Sequence, residues 1–275
     1  MHLFYTHGLG GSLQAQPEVE EVFSPLGYTV TRIAVPYHHS VTELVTKLAT
    51  VTFGDLCLWI HEGANIIIDT ARRFAPEDYA VIGDSLGGFI AVVAAQRDPR
   101  ISHCILLACS GDVCNGAMHL HEVNWGLRLL AGRFTRVGKG GLRIQAHKAI
   151  AGQSDFQHEF ALVNTFQPDR LARLRRLLVL GDKGDPVAPE AACVHFAQGV
   201  KDSTVRMVYN EGQHHPIGKD ALERYAVPFL RNQPVPAVFP SFPEPKPPNR
   251  LRKLFSSMRG VLTRYLHGKK YPFDR

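Results

Sequence analysis

Ser85 stands in the run Gly83-Asp84-Ser85-Leu86-Gly87, with Gly88 directly behind it. A serine spaced this way between glycines, entered from the apolar residues 79–82 and left through a helical pattern, has the form of a nucleophile elbow. The form has a steric cause. A sharp strand-to-helix turn holds the serine in strained backbone, and flanking glycines let neighbouring elements come close. The turn lifts the hydroxyl out of the sheet, and the helix that follows points its amino terminus at developing negative charge.

Three further groups of residues suit the same chemistry. His7-Gly8-Leu9-Gly10-Gly11 is a glycine turn whose amides can face inward, so the N–H groups of Leu9 and Leu86 are the candidate oxyanion donors. It lacks the lysine of a P-loop and the spacing of a dinucleotide fingerprint, which argues against a nucleotide site. Gly181-Asp182-Lys183-Gly184-Asp185-Pro186 puts two acids after an apolar run; Asp185 is the first choice to orient a histidine and Asp182 the second. Gly212-Gln213-His214-His215-Pro216 supplies the base, His214 ahead of His215. The order Ser, Asp, His along the chain is the one this chemistry takes in a strand-and-helix scaffold.

The elements that position these groups read as alternating strands and helices. Strands are expected over 2–6, 28–35, 79–83, 101–108, 177–180 and 205–209, and helices over 41–49, 56–74, 86–96 and 221–230. Strands apolar on both faces imply an α/β fold with a mostly parallel sheet covered on two sides. Between 111 and 168 the pattern turns irregular and helical, with many glycines, and is expected to be a helical insertion that roofs the site as a lid. If it does, Met118, Leu120, Trp125 and Leu129 would make the pocket apolar.

Taken together, these residues resemble the α/β-hydrolase superfamily over roughly residues 2–232. The resemblance implies Ser85 as nucleophile, supports Asp185 through the Asp-Pro ending of its loop, and supports His214 through the His-x-Pro ending, although Gln213 stands where a glycine is usual. It also implies that this chain begins at what is usually the third strand, so that the first two strands are absent and the sheet has six. The superfamily includes thioesterases, lipases, esterases and lyases. The implied activity is cleavage of a carboxylic ester or thioester, with an apolar moiety, through an acyl-enzyme. An acyltransferase or lyase using the same triad, or a catalytically silent binding or scaffolding module, are the alternatives.

Composition bounds the rest. The chain has 275 residues, 45% hydrophobic, enough for one large core. Its five cysteines are an odd number, partly within apolar runs, and fit a reducing, cytoplasmic setting better than a disulfide framework. No leader and no spanning apolar run is visible. His61-Glu62 lacks the second histidine of a zinc helix, and no cysteine pair has zinc spacing with suitable partners, Cys109 and Cys114 lacking them, so neither metal nor cofactor is expected. The net charge of +6 is uneven: residues 242–275 hold nine Lys or Arg and two acids, giving +7, which leaves −1 for the remainder. A nearly neutral body argues against nucleic acid. Residues 1–232 are expected to form the catalytic domain, 233–249 a proline-rich linker and 250–275 a basic amphipathic tail. Its apolar positions from Leu251 to Leu266 share one helical face, which would meet the body, a partner protein or an anionic membrane surface. His38-His39 are placed near the site rim, and His119 and His121 in the insertion. The expected ligand is a small ester or thioester, lipid-like in part.

Overall fold

The computed structural model describes residues 1–8, 11–38, 53–74, 77–111, 171–183, 185, 188–208 and 217–236. The chain divides into two compact units, Met1–Val235 and Pro236–Arg275, and all but the first residue of the second unit lies outside the described residues. The helix expected over 41–49, the insertion 111–168 beyond Gly111, and the tail helix also lie outside them.

Along the first unit run β1 (His2–Thr6), α1 (Glu18–Phe23) with a 3₁₀ turn (Ser24–Leu26), β2 (Thr29–Ile33), α2 (Phe53–Phe74), β3 (Tyr79–Asp84), α3 (Leu86–Arg97), β4 (Ile101–Leu107), β5 (Leu177–Asp182), α4 (Glu190–Gln198), β6 (Ser203–Val208), α5 (Lys219–Ala221), a wide π turn (Leu222–Ala226) and α6 (Val227–Leu230). The π turn ends beside Pro228, whose missing N–H would break a regular α ladder there.

The six strands form one sheet in the order β2-β1-β3-β4-β5-β6, and every pairing is parallel. Alternate residues of the strands divide between two layers. Phe4, Tyr79, Val81, Leu106, Leu177 and Val179 face a core filled by Trp59, Ile60 and Ile67 of α2, Ile90 of α3 and Phe196 of α4. The intervening residues, among them Tyr5, Ile82, Ile105 and Leu180, are buried outside that cluster, as are Val19 and Phe23 of α1 and Leu222, Tyr225 and Phe229 of the last helices. An irregularity at the start of the β3–β4 pairing, where Tyr79 faces Ile101 and Ala80 faces His103, keeps Ile101 and Cys104 in the same layer.

The strand order reverses between β1 and β3. The chain leaves β1 for β2 on one side and comes back with β3 on the other. In an open parallel sheet this reversal leaves a crevice at the carboxyl ends of the two strands, where ligands bind. The turns that follow β1 and β3 are those of His7 and Ser85.

Candidate functional site

Ser85 sits between β3 and α3 at φ 51°, ψ −114°, a backbone state that a side chain with a Cβ adopts only under strain. The sheet and helix hold it there from both sides. Its N–H donates to the Leu107 carbonyl of β4 at 2.8 Å, and its carbonyl accepts the Gly88 N–H at 2.9 Å. The same edge concentrates other left-handed residues: Tyr37 (φ 62°) after β2 and Ala108 (φ 47°) after β4. Left-handed backbone thus recurs at the carboxyl ends of three strands of the sheet.

The glycines do what the spacing predicts. A Cβ on Gly83 would fall on the Gly87 carbonyl, one on Gly87 would fall on the Thr6 carbonyl, and one on Gly88 would stand 2.5 Å from the Cys109 Sγ. Thus α3 enters the sheet so closely that three successive contacts of the elbow admit only hydrogen. Gly8 completes the approach, since its Cβ would lie 2.9 Å from the Cβ of Ser85 and 3.2 Å from Asp84 Oδ2. The turn after β1 is therefore pressed directly against the serine. Leu86, the other candidate oxyanion donor, is buried as the first residue of α3.

His7 fixes that turn. It is fully buried; the Val35 N–H donates to its Nε2 at 3.2 Å, which leaves the proton on Nδ1 to donate to the Gly8 carbonyl at 2.9 Å. The imidazole is thus a neutral strut between the β1 turn and the end of β2, and His38 packs on it at 5.4 Å between ring centres. His38 is itself buried, its Nδ1 2.8 Å from the Pro36 carbonyl and its ring edge-on to Trp59. Gly11 closes the turn with its N–H on the Gly8 carbonyl at 3.0 Å.

Both candidate acids lie at the carboxyl end of β5, two strands and so about 10 Å from β3. Asp182 is the last residue of the strand and has no exposure; Asp185 is 2% exposed. The Asp185 N–H donates to the Asp182 carbonyl at 3.1 Å, and Asp185 Oδ1 accepts the Ala188 N–H at the same distance. The strand expected over 177–180 runs on through Gly181, whose bare α-carbon leaves space for the Met207 side chain of β6, to Asp182. Leu9, Gly10, His214 and His215 lie outside the described residues, as do His39, His119 and His121.

Some neighbours were not singled out from the sequence. The Leu107 carbonyl accepts from the elbow, the Thr6 carbonyl lies close against Gly87, and Cys109 is buried beside Gly88 with the Cys193 thiol on its carbonyl; burial pushes the Cys193 thiol up to about 12 and the Cys109 thiol well above its ordinary value. Thiols held this way are protonated and inert. Among the described residues no group of His, Cys, Asp and Glu is arranged to hold a metal ion, and no helix is long and apolar enough to cross a membrane.

No family model matches the sequence, and no curated protein matches it. Solved structures do. Est1E from Butyrivibrio proteoclasticus with ferulic acid bound superposes at a TM-score of 0.53, with 16% identity over 84% of this chain and 89% of that one. MGS-MChE2, an alpha/beta hydrolase enzyme from the metagenome of lagoon sediments at Mar Chica, Morocco, gives 0.51 and 17% over 84% and 89%. A meta-cleavage product hydrolase from Pseudomonas fluorescens IP01 gives 0.50 and 16% over 84% and 91%. At these identities the likeness is one of fold.

Proposed function

We propose that this chain, which has the α/β-hydrolase fold, is a serine hydrolase that cleaves a carboxylic ester or thioester with an apolar moiety. The observation that carries the reading is Ser85: a strained serine at the N-cap position of α3, at the sheet's topological switch point, with the Gly8 turn pressed against it. A serine with a purely structural role needs neither the strain nor glycines on every side.

In this reading Ser85 Oγ attacks the acyl carbon and its proton passes to His214, which Asp185 orients and whose charge Asp185 balances. The amides of Leu9 and Leu86 hold the oxyanion. The alcohol or thiol leaves with the proton from His214, and water, deprotonated by His214, resolves the acyl-enzyme. Asp182 and His215 are the alternates for acid and base. The buried position of both acids supports such a role, since a carboxylate screened from water keeps a strong interaction with an imidazolium. The chemistry asks for no cofactor.

The same reading takes residues 1–232 as the catalytic domain on a six-stranded sheet without the usual first two strands, and 111–168 as an apolar lid. It takes 233–249 as a linker and 250–266 as a basic amphipathic helix that brings a cytoplasmic enzyme to an anionic membrane or a protein partner. An acyltransferase or lyase would use the same groups and differ in products; a silent binding module would leave Ser85 unreactive. A panel of fluorogenic esters graded by acyl length, with Ser85→Ala as control, tests the proposal. Activity that rises with chain length and is lost in the variant is expected. A response independent of chain length would contradict the apolar pocket, and activity that persists in Ser85→Ala would contradict the nucleophile.

A further inference from the structure

Gln16 stands outside every motif of the sequence, yet it joins the segment after the His7 turn to Ile217, which follows the His214-His215-Pro216 run in the chain. It is 5% exposed and in left-handed backbone at φ 55°. Its Nε2 donates to the Ile217 carbonyl at 2.8 Å, across 201 residues of chain. Ile217 is buried, and it follows His214 by three residues and His215 by two. Three residues span at most about 11 Å, so the place of Ile217 bounds where the imidazole of His214 can be.

The strap that bears Gln16 is itself held. It begins at the Gly8–Gly11 turn against Ser85, and the Arg32 guanidinium on β2 donates to the carbonyls of Leu13 at 2.9 Å, Ala15 at 2.7 Å and Gln16 at 3.3 Å. The Gln16 carbonyl also accepts the Val19 N–H at the start of α1. A line of hydrogen bonds therefore runs from the sheet through Arg32 and the strap to the residue that follows the histidine loop.

Stability alone does not select this side chain. Oε1 of Gln16 is buried with no hydrogen-bond partner among the described residues, so within them the amide gains one hydrogen bond and leaves one buried acceptor unsatisfied. An apolar side chain of the same size would avoid the second loss but take this donor from the buried Ile217 carbonyl, so the exchange is close to neutral. Left-handed backbone adds strain that a glycine would not feel.

We propose that Gln16 is a positioning residue that sets the histidine loop relative to the Ser85 turn; this rests on the serine-hydrolase reading above. It touches neither substrate nor the reacting atoms and acts through Ile217.

The test uses the full chain with Gln16→Met, which keeps length and removes the donor, and Gln16→Glu, whose carboxylate cannot donate when ionised but can when protonated. Thermal midpoint, kcat, KM and the rate of fluorophosphonate labelling at Ser85 are measured on each. Expected for Gln16→Met is a folded protein with KM little changed and with kcat and labelling rate lowered together, roughly ten- to a hundredfold. For Gln16→Glu the activity relative to wild type should rise as pH falls, because protonation restores the donor. Wild type that labels at Ser85 while Gln16→Met labels equally fast overturns the positioning role and leaves the hydrolase reading standing. So does a kcat loss in Gln16→Met matched by loss of folded protein, with a Gln16→Glu ratio flat in pH. Wild type that does not label overturns both.

Discussion

Replacing Ser85 by glycine should stabilise the protein while ending its activity. At φ 51°, ψ −114° the residue occupies backbone that costs a side chain with a Cβ about 1–3 kcal/mol. Glycine removes that cost but gives back about 0.4–1 kcal/mol, because its more flexible unfolded chain has more entropy to lose on folding. The two combine to a net gain near 1 kcal/mol. The proper reference is Ser85→Ala, because both variants lose the hydroxyl and whatever it bonds, and only the Cβ distinguishes them. In a chain of this length 1 kcal/mol moves the thermal midpoint by about 2–4 °C. Urea melts of the two variants, read as free energies with a shared m-value, give the difference directly. Ser85→Gly should be the more stable, and neither should turn over substrate. A glycine variant equal to or weaker than the alanine variant would refute the claim that the fold holds this serine under strain, and with it the main structural reason for assigning Ser85 a chemical role.

Two other outcomes follow from the same geometry. Asp185→Asn should lower kcat about 10⁴-fold, as loss of the imidazole's orienting carboxylate does, while Asp182→Asn should cost far less; kinetics on the best ester of the panel would show it, and the reverse ranking would move the acid to Asp182. His103, at the amino end of β4, has its pKa lowered first by burial and further by the Arg176 guanidinium beside its Nε2, against the hydrogen bond to Asn232. The unfolded chain, with an ordinary histidine near 6.5, therefore binds more protons than the folded one below that pH. Stability is full above about 6.5 and falls as pH drops toward the lowered native value. Thermal midpoints from pH 8 to 5 should decline more steeply for wild type than for His103→Gln, and parallel curves would show that this site does not set the slope. His2, also lowered by burial, is common to both proteins and cancels.

The parts of the fold that follow from local pattern were open to sequence reading. Residues 2–6, 79–83 and 101–108 are apolar runs that only a doubly covered strand satisfies, and β1, β3 and β4 lie on them. The elbow was legible because sterics dictate its glycines. Two helices were not foreseen. α1 has six residues, too few for a period to stand out, although Val19, Val22 and Phe23 are its buried face. α4 buries Ala192, Cys193, Phe196 and Ala197, where small residues blur the apolar stripe. β6 starts two residues before its apolar run because, as the last strand in the sheet order, it is half-exposed along most of its length and Ser203 and Thr204 take part in the pairing. Gln16 was invisible for another reason. Its partner stands 201 residues away, and no local pattern encodes a contact of that range.

The most direct trial of the central claim is covalent. Purified full-length protein treated with a fluorophosphonate probe should take up one equivalent, with the adduct mapped by peptide mass spectrometry to Ser85. Ser85→Ala should take up none, and His214→Ala should react at a rate lower by several orders of magnitude, about 10⁴ or more. Folded protein that stays unmodified, or an adduct that maps to a different residue, would contradict the account.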